Sequence, residues 1–277
     1  MPKKSIEISV EKITPRIAEE YLKLNVCNRK ISSTKVAEYM TEMTAGRWKV
    51  NGIPICFDTN GHLCNGQHRL TACVKSGIAF RTAVARNVES DAFATYDCGL
   101  NRTTASNFEI AGVSSSALVA SIVNGVNEIR AHGNGLYGMG RVRITSSASI
   151  EERNKNPQLY ADAANFARKC CHQARSLTPK MIGSLYYYLG NDLKKDARFV
   201  EDFFLKITSV ETVSPKCLNR LRAIIAKSAG NKKARTSELT LSVYITQGWN
   251  AYVSVGENGE EVEPTFRYAE NSLPKFI

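Results

Sequence analysis

The stretch Cys64-Asn65-Gly66-Gln67-His68-Arg69-Leu70-Thr71 decides how this chain is read. Before it run Pro54-Ile55-Cys56-Phe57, Asp58-Thr59-Asn60-Gly61 and His62-Leu63-Cys64, the pattern of strand, turn and strand. After it runs Leu70-Thr71-Ala72-Cys73-Val74, the body of a helix. The box therefore sits where a hairpin turns into a helix. Gly66 lets a ligand approach the backbone, because no Cβ stands in the way. The first N–H groups of a helix lack partners within it, and the helix dipole favours an anion there. Gln67, His68 and Arg69 add side-chain donors at the same place. Such a collection suits a phosphate.

Working outward, residues 5–12 alternate apolar and polar, as a half-buried strand does. Thr14-Pro15 starts a helix that runs to about Leu24. Asn28-Arg29-Lys30 reads as a loop. Ser32 or Ser33 caps a second helix, about Thr34 to Ala45, which ends at Gly46-Arg47-Trp48. Beyond the box, Gly77 closes the third helix, Phe80 to Arg86 is a strand, and Asp91 to Tyr96 a short helix. After Ala105 the strand pattern stops. Amphipathic spacing predicts helices near 104–111, 115–131, 146–153, 157–174, 178–190, 193–208, 214–229 and 236–251. The sequence predicts an α+β protein of two domains: a small mixed sheet with helices over residues 1–105, and an all-helical domain over 106–277.

The whole-chain figures narrow the function classes. A chain of 277 residues, 43% hydrophobic, has ample material for a core. No apolar run approaches the ~18 residues of a membrane span, and Met1 to Ile8 has no apolar signal core. Eight cysteines contain no C-x-x-C pair, which points to reduced side chains in a cytoplasmic protein. The net charge of +11 is shared, with 15 Lys+Arg against 10 Asp+Glu in residues 1–105 and 22 against 16 in the rest. Such a surface favours polyanions, nucleotides and DNA among them.

Four motifs, in order, resemble one family. Asn28-Arg29, Gly46-Arg47-Trp48, Asn65-Gly66-Gln67-His68-Arg69-Leu70 and Asp97-Cys98-Gly99-Leu100-Asn101-Arg102 are similar to the boxes of the ParB/sulfiredoxin superfamily, and of phage-encoded ParB-like proteins in particular. The likeness covers about residues 5–110; Trp249-Asn250-Ala251-Tyr252 is similar to their closing helix. It implies a ParB/sulfiredoxin-like sheet domain that binds ATP or CTP, with Mg²⁺, and an NTP phosphohydrolase or phosphotransferase role in DNA or nucleotide metabolism. The binding residues it implies are Asn65, Gly66, Gln67, His68, Arg69 and Arg102. His68 and Asp97 are the candidates for proton transfer, Asp97 also for the metal. The family's Asp stands as Asn65 here, which cannot serve as a base. Gln67 occupies the position of the sulfiredoxin cysteine, which argues against that chemistry. Two other readings stay open: a DNA-binding module without turnover, and a phage protein-interaction factor that inhibits a host defence enzyme.

Other motifs carry less. Gly133 to Gly140 holds four glycines but lacks Gly-Lys-Ser/Thr, so it reads as a mobile loop and not a phosphate loop. Tyr186-Tyr187-Tyr188 reads as core, with base stacking as the other role for such a run.

Overall fold

The computed structural model describes residues 5–26, 28, 30–89, 103–133, 135–140, 142, 144–171, 177–230, 236–259, 261 and 263–277. The chain divides into two compact units, Met1–Asn101 and Arg102–Ile277. The described residues form a mixed α+β protein that is mostly helical, with one small four-stranded sheet.

In the first unit the elements are β1 (Glu7–Ile13), α1 (Pro15–Lys23), α2 (Ser33–Thr44), β2 (Ile55–Asp58), β3 (Leu63–Asn65), α3 (Gln67–Ser76) and β4 (Phe80–Val88). The sheet order is β1-β4-β2-β3; β4 runs antiparallel to β1 and parallel to β2, and β3 runs antiparallel to β2. Local chemistry sets the ends. Thr14 Oγ1 accepts from Ile17 N, with Pro15 in the first turn of α1. Ser32 Oγ accepts from Lys35 N and starts α2. Gly77, in a left-handed conformation, ends α3. One core joins Ile13, Val36, Ile55, Leu70, Phe80 and Val84, so the helices are held on one face of the sheet. Trp48 packs edge-on between Tyr39 and Phe80 and donates from Nε1 to Arg81 O, which fastens the end of α2 to β4.

In the second unit the described residues form helices α4 (Thr104–Ile110), α5 (Ser116–Ala131), α6 (Ser146–Lys155), α7 (Pro157–Cys171), α8 (Pro179–Tyr187), α9 (Ala197–Thr208), α10 (Cys217–Gly230) and α11 (Glu238–Asn258). No strand is found among them. Side chains of Thr103, Thr145, Thr178, Asp196 and Ser237 cap five of these helices. The core is rich in aromatics: Phe203 and Phe199 meet the ring of Trp249, and Tyr160 stacks on Tyr187 at 4.0 Å.

Two expectations for this unit need correction. The helix expected from 193 begins at Ala197, because α8 passes into a π-helical turn over Tyr188–Asp192, Lys194 turns to φ +54°, and Asp196 caps the new start. Residues 135–138, expected to be mobile, are packed. Leu136 and Tyr137 are buried, Glu128 Oε1 accepts from Gly138 N at 3.0 Å, and Ser242 Oγ accepts from Tyr137 N at 2.8 Å. A Cβ on Gly138, at φ +90°, would stand 2.7 Å from Leu239 N, so the glycine serves close packing against α11. Tyr186 and Tyr187 are core residues, as the sequence suggests, and neither ring is open to base stacking. The irregular tail is also anchored. Gln247 exchanges two hydrogen bonds with the main chain of Arg267, and Asn250 bonds Lys275 O and Ile277 N.

Candidate functional site

The box lies at the turn from β3 into α3, as its spacing implies. Gly66 takes φ +110°, a region that L side chains rarely adopt. The space a side chain would fill is already occupied: a Cβ on Gly66 would stand 2.8 Å from Ile55 Cγ1. The missing Cβ therefore admits Ile55, where the sequence had suggested a ligand. Asn65, the last residue of β3, donates from Nδ2 to Pro54 O at 3.4 Å.

Arg69 turns inward and is 6% exposed. Its Nη1 donates to Ile53 O at 2.5 Å and its Nη2 to Pro54 O at 2.7 Å. These bonds fasten the chain entering β2 to the first turn of α3. The expected phosphate clamp is thus placed as a strut beneath the box. A signal for this stood in the sequence: Gly66, Arg69, Leu70 and Cys73 fall at the i, i+3, i+4, i+7 spacing of one helix face, and Leu70 and Cys73 are core.

Gln67 is 4% exposed, and its Oε1 accepts from Asn25 Nδ2 at 3.2 Å. Asn28 Nδ2 in turn bonds Asn25 Oδ1 and Leu63 O, each at 2.6 Å. Sequence reading had singled out Asn28 but missed Asn25. Together the two asparagines stitch the loop after α1 to β3 and α3.

His68 is half-buried, unlike its neighbours Gln67 and Arg69. Its Nε2 accepts from Ser32 N at 3.0 Å. In the neutral ring this puts the proton on Nδ1. Ser32 is the N-cap of α2, so the bond joins the N-terminal ends of α2 and α3. Two positive dipole ends meet at one imidazole. The hydroxyl run Ser32-Ser33-Thr34 is exposed there, and Val26 and Ile31 are exposed apolar residues of the neighbouring loop. No side chain caps α3, whose N-cap is Gly66.

Asp97, Arg102 and Arg29 lie outside the described residues. The described box residues carry amide, imidazole and guanidinium groups, not the carboxylate that Mg²⁺ takes as a protein ligand, and they do not fit a resident Mg²⁺. Among the described residues no group of three or more His, Cys, Asp or Glu is placed to hold a metal. Cys64 donates from Sγ to Cys56 O, and burial pushes its thiol up to about 11, so it stays protonated at neutral pH.

Set against models of known families, curated proteins and solved structures, the chain matches none. The local geometry must carry the functional argument.

Proposed function

We propose that the first unit binds a nucleoside polyphosphate, ATP or CTP, where the N-termini of α2 and α3 converge on His68. The observation that carries the reading is the 3.0 Å bond from Ser32 N to His68 Nε2. It sets two helix ends side by side, and both attract negative charge. In this reading the ring of His68 and the hydroxyls of Ser33 and Thr34 contact phosphate oxygens. Gly66, Gln67, Asn65 and Arg69 hold the turn in shape. Val26 and Ile31 offer apolar surface to the nucleoside. The likeness of the box to the ParB/sulfiredoxin superfamily supports the same ligand class. The activity proposed is binding; hydrolysis or transfer would call on Asp97 and Arg102 of the adjoining segment.

The test is a thermal-shift and calorimetry panel of ATP, CTP, GTP and UTP, with and without Mg²⁺. A ligand at a hundredfold excess over its Kd stabilises the folded form by about 2.7 kcal/mol, a shift easily read. Ser33→Asp separates binding from folding. Its carboxylate repels phosphate yet suits the start of a helix, so nucleotide stabilisation is lost while the free protein keeps its Tm. Absence of stabilisation by every nucleotide in the panel would sink the proposal.

The net charge of +11 favours a second reading, DNA binding without turnover. Anisotropy with duplex DNA tests it: affinity that falls steeply as salt rises supports it, and affinity insensitive to salt rejects it.

A further inference from the structure

Strand β1 (Glu7–Ile13) lies at one edge of the sheet and pairs with β4 through seven consecutive residues in an unbroken antiparallel register. An edge strand presents a row of main-chain donors and acceptors to any further strand. Natural edges are blunted by proline, by a bulge, or by charged side chains, lysine above all. β1 has no proline and no bulge, and its charges, Glu7, Glu11 and Lys12, flank the uncharged residues 8–10. It carries an apolar stripe instead. Ile6, Ile8 and Val10 alternate along one face and are 57%, 68% and 52% exposed. Ile8 and Val10 stand opposite Ala85 and Ala83 of β4, whose small side chains leave them proud of the surface. Residues on the other face are tied into the first unit: Glu11 bonds Arg86 and Tyr21, and Ile13 is core.

We infer that β1 pairs antiparallel with β1 of a second copy of this chain, about a two-fold axis midway between the two Ile8 residues. The sequence of the strand selects both the partner and the register. Directly opposite residues share a face, so a two-fold axis normal to the sheet must set one residue opposite its own copy. With the axis at Ile8, Ile6 faces Val10 of the second copy, Ile8 faces Ile8, and Glu7 faces Ser9. Three apolar pairs then form one ladder of β-branched side chains, and the described strand opposes no two like charges. Only Lys12, at the end, falls opposite Lys4, beyond the described strand. With the axis at Ser9, Glu7 faces Glu11 and Ile6 faces Lys12. With the axis at Val10, Ile8 faces Lys12 and Glu7 faces Ile13. Both alternatives break the apolar ladder, and the first opposes two carboxylates. Pairing of this kind uses the same surface on both copies and closes on itself, so it stops at a dimer.

Sedimentation velocity on the full chain reads the outcome. The wild type is expected to be a dimer at about 100 µM, a concentration that reveals even modest affinity. Ile8→Lys sets two ammonium groups against each other on the axis and is expected to give a monomer with an unchanged circular dichroism spectrum, since the side chain is exposed. Ile8→Cys places its thiols on opposed residues, where Cα atoms about 4.5–5.5 Å apart permit a disulfide. Mild oxidation should give a covalent dimer whose linked peptide, identified by mass spectrometry, is 8 to 8. Ser9→Cys should give no 9-to-9 link. A monomeric wild type at that concentration overturns the inference. So does a dimer indifferent to Ile8→Lys, a species that keeps growing with concentration, or a 9-to-9 link.

Discussion

Each unit is built around an arginine, and the two are held in opposite ways. In the first unit Arg69 is fixed by main-chain carbonyls of Ile53 and Pro54. In the second, Arg130 is fixed by carboxylates: Nε and Nη2 donate to Asp192 at 2.6 and 2.7 Å, and Nη1 donates to Glu152 at 2.5 Å. Lys155 and the hydroxyl of Tyr160 also bond Glu152. Asp192 ends the π-helical turn, so the network pins that turn to α5 and α6. Carbonyls hold a guanidinium without cancelling its charge, whereas carboxylates cancel it. The cluster of Arg130, Lys155, Glu152 and Asp192 is formally neutral, which suits a structural knot. The bonds from Arg69 to Ile53 and Pro54 go to neutral main-chain oxygens and tie the entry of β2 to α3.

The sharpest way to break this comparison is to remove each arginine and vary the pH. Arg130→Ala leaves the Glu152 and Asp192 carboxylates without their main counter-charge. It should cost the second unit about 4 kcal/mol at neutral pH, read by urea unfolding with hydrogen exchange to assign the unit. Burial pushes the Glu152 carboxyl up, but hydrogen bonds from Lys155 and Arg130 outweigh it, and the net position is below the ordinary value. A depressed folded pKa contributes stability above the unfolded value of about 4.3, and that contribution is lost as pH falls through the folded value. The penalty of Arg130→Ala should therefore shrink in acid. Arg69→Ala should cost the first unit about 3 kcal/mol, since the carbonyls of Ile53 and Pro54 each lose a bond from a charged donor. Carbonyls do not titrate, so this penalty should stay flat over the same range. Equal pH dependence in the two variants would show that the two arginines are not held differently.

Next in size is Gly66→Ala, which tests whether the turn of the box is set by packing as well as by φ. Both the +110° torsion and the 2.8 Å approach to Ile55 oppose a side chain, and together they should cost about 2–3 kcal/mol. Combining it with Ile55→Ala separates the two causes. If contact matters, the double variant loses less than the two single losses added together. Strict additivity would leave the torsion as the sole reason for glycine.

These residues also show what the sequence disclosed. Element ends with local causes were legible: the Thr14-Pro15 start of α1, the Gly77 stop of α3, the alternation of β1. The place of the box between hairpin and helix was legible too, for the same reason. What Arg69 touches was not, because its partners Ile53 and Pro54 lie 15–16 residues back along the chain and are main-chain atoms with no signature of their own. The Gly133–Gly140 stretch looked mobile because glycine is read locally as freedom, whereas Glu128, Ser242 and α11 hold Tyr137 and Gly138 from a distance. The clamps of Gln247 and Asn250 on the tail were hidden alike. The box was legible as a position between hairpin and helix, and the inward turn of Gln67 and Arg69 was not.

The smallest expected effect comes from the ion cluster of β1, and it tests whether exposure governs such clusters. Glu11 is bonded by Arg86, Ser9 and Tyr21. The Arg86 hydrogen bond is the chief reason its carboxyl lies below the ordinary value, with burial opposing. The sign matches that of Glu152: the contribution is present above about pH 4.3 and fades as pH falls. The setting differs, because the Arg86 side chain is 38% exposed and that of Glu11 26%, against 8% for Glu152. Water screens the first pair and hardly reaches the acid of the second. Glu11→Gln should therefore cost under about 1 kcal/mol at neutral pH, and less still when salt is raised to 1 M, as read by urea midpoints. A loss as large as that of Arg130→Ala, unmoved by salt, would mean that geometry outweighs solvent access in both clusters. The carboxylate set and the bidentate fork of Arg130 would then be the property that matters, and the contrast between the two units would have to be redrawn on that ground.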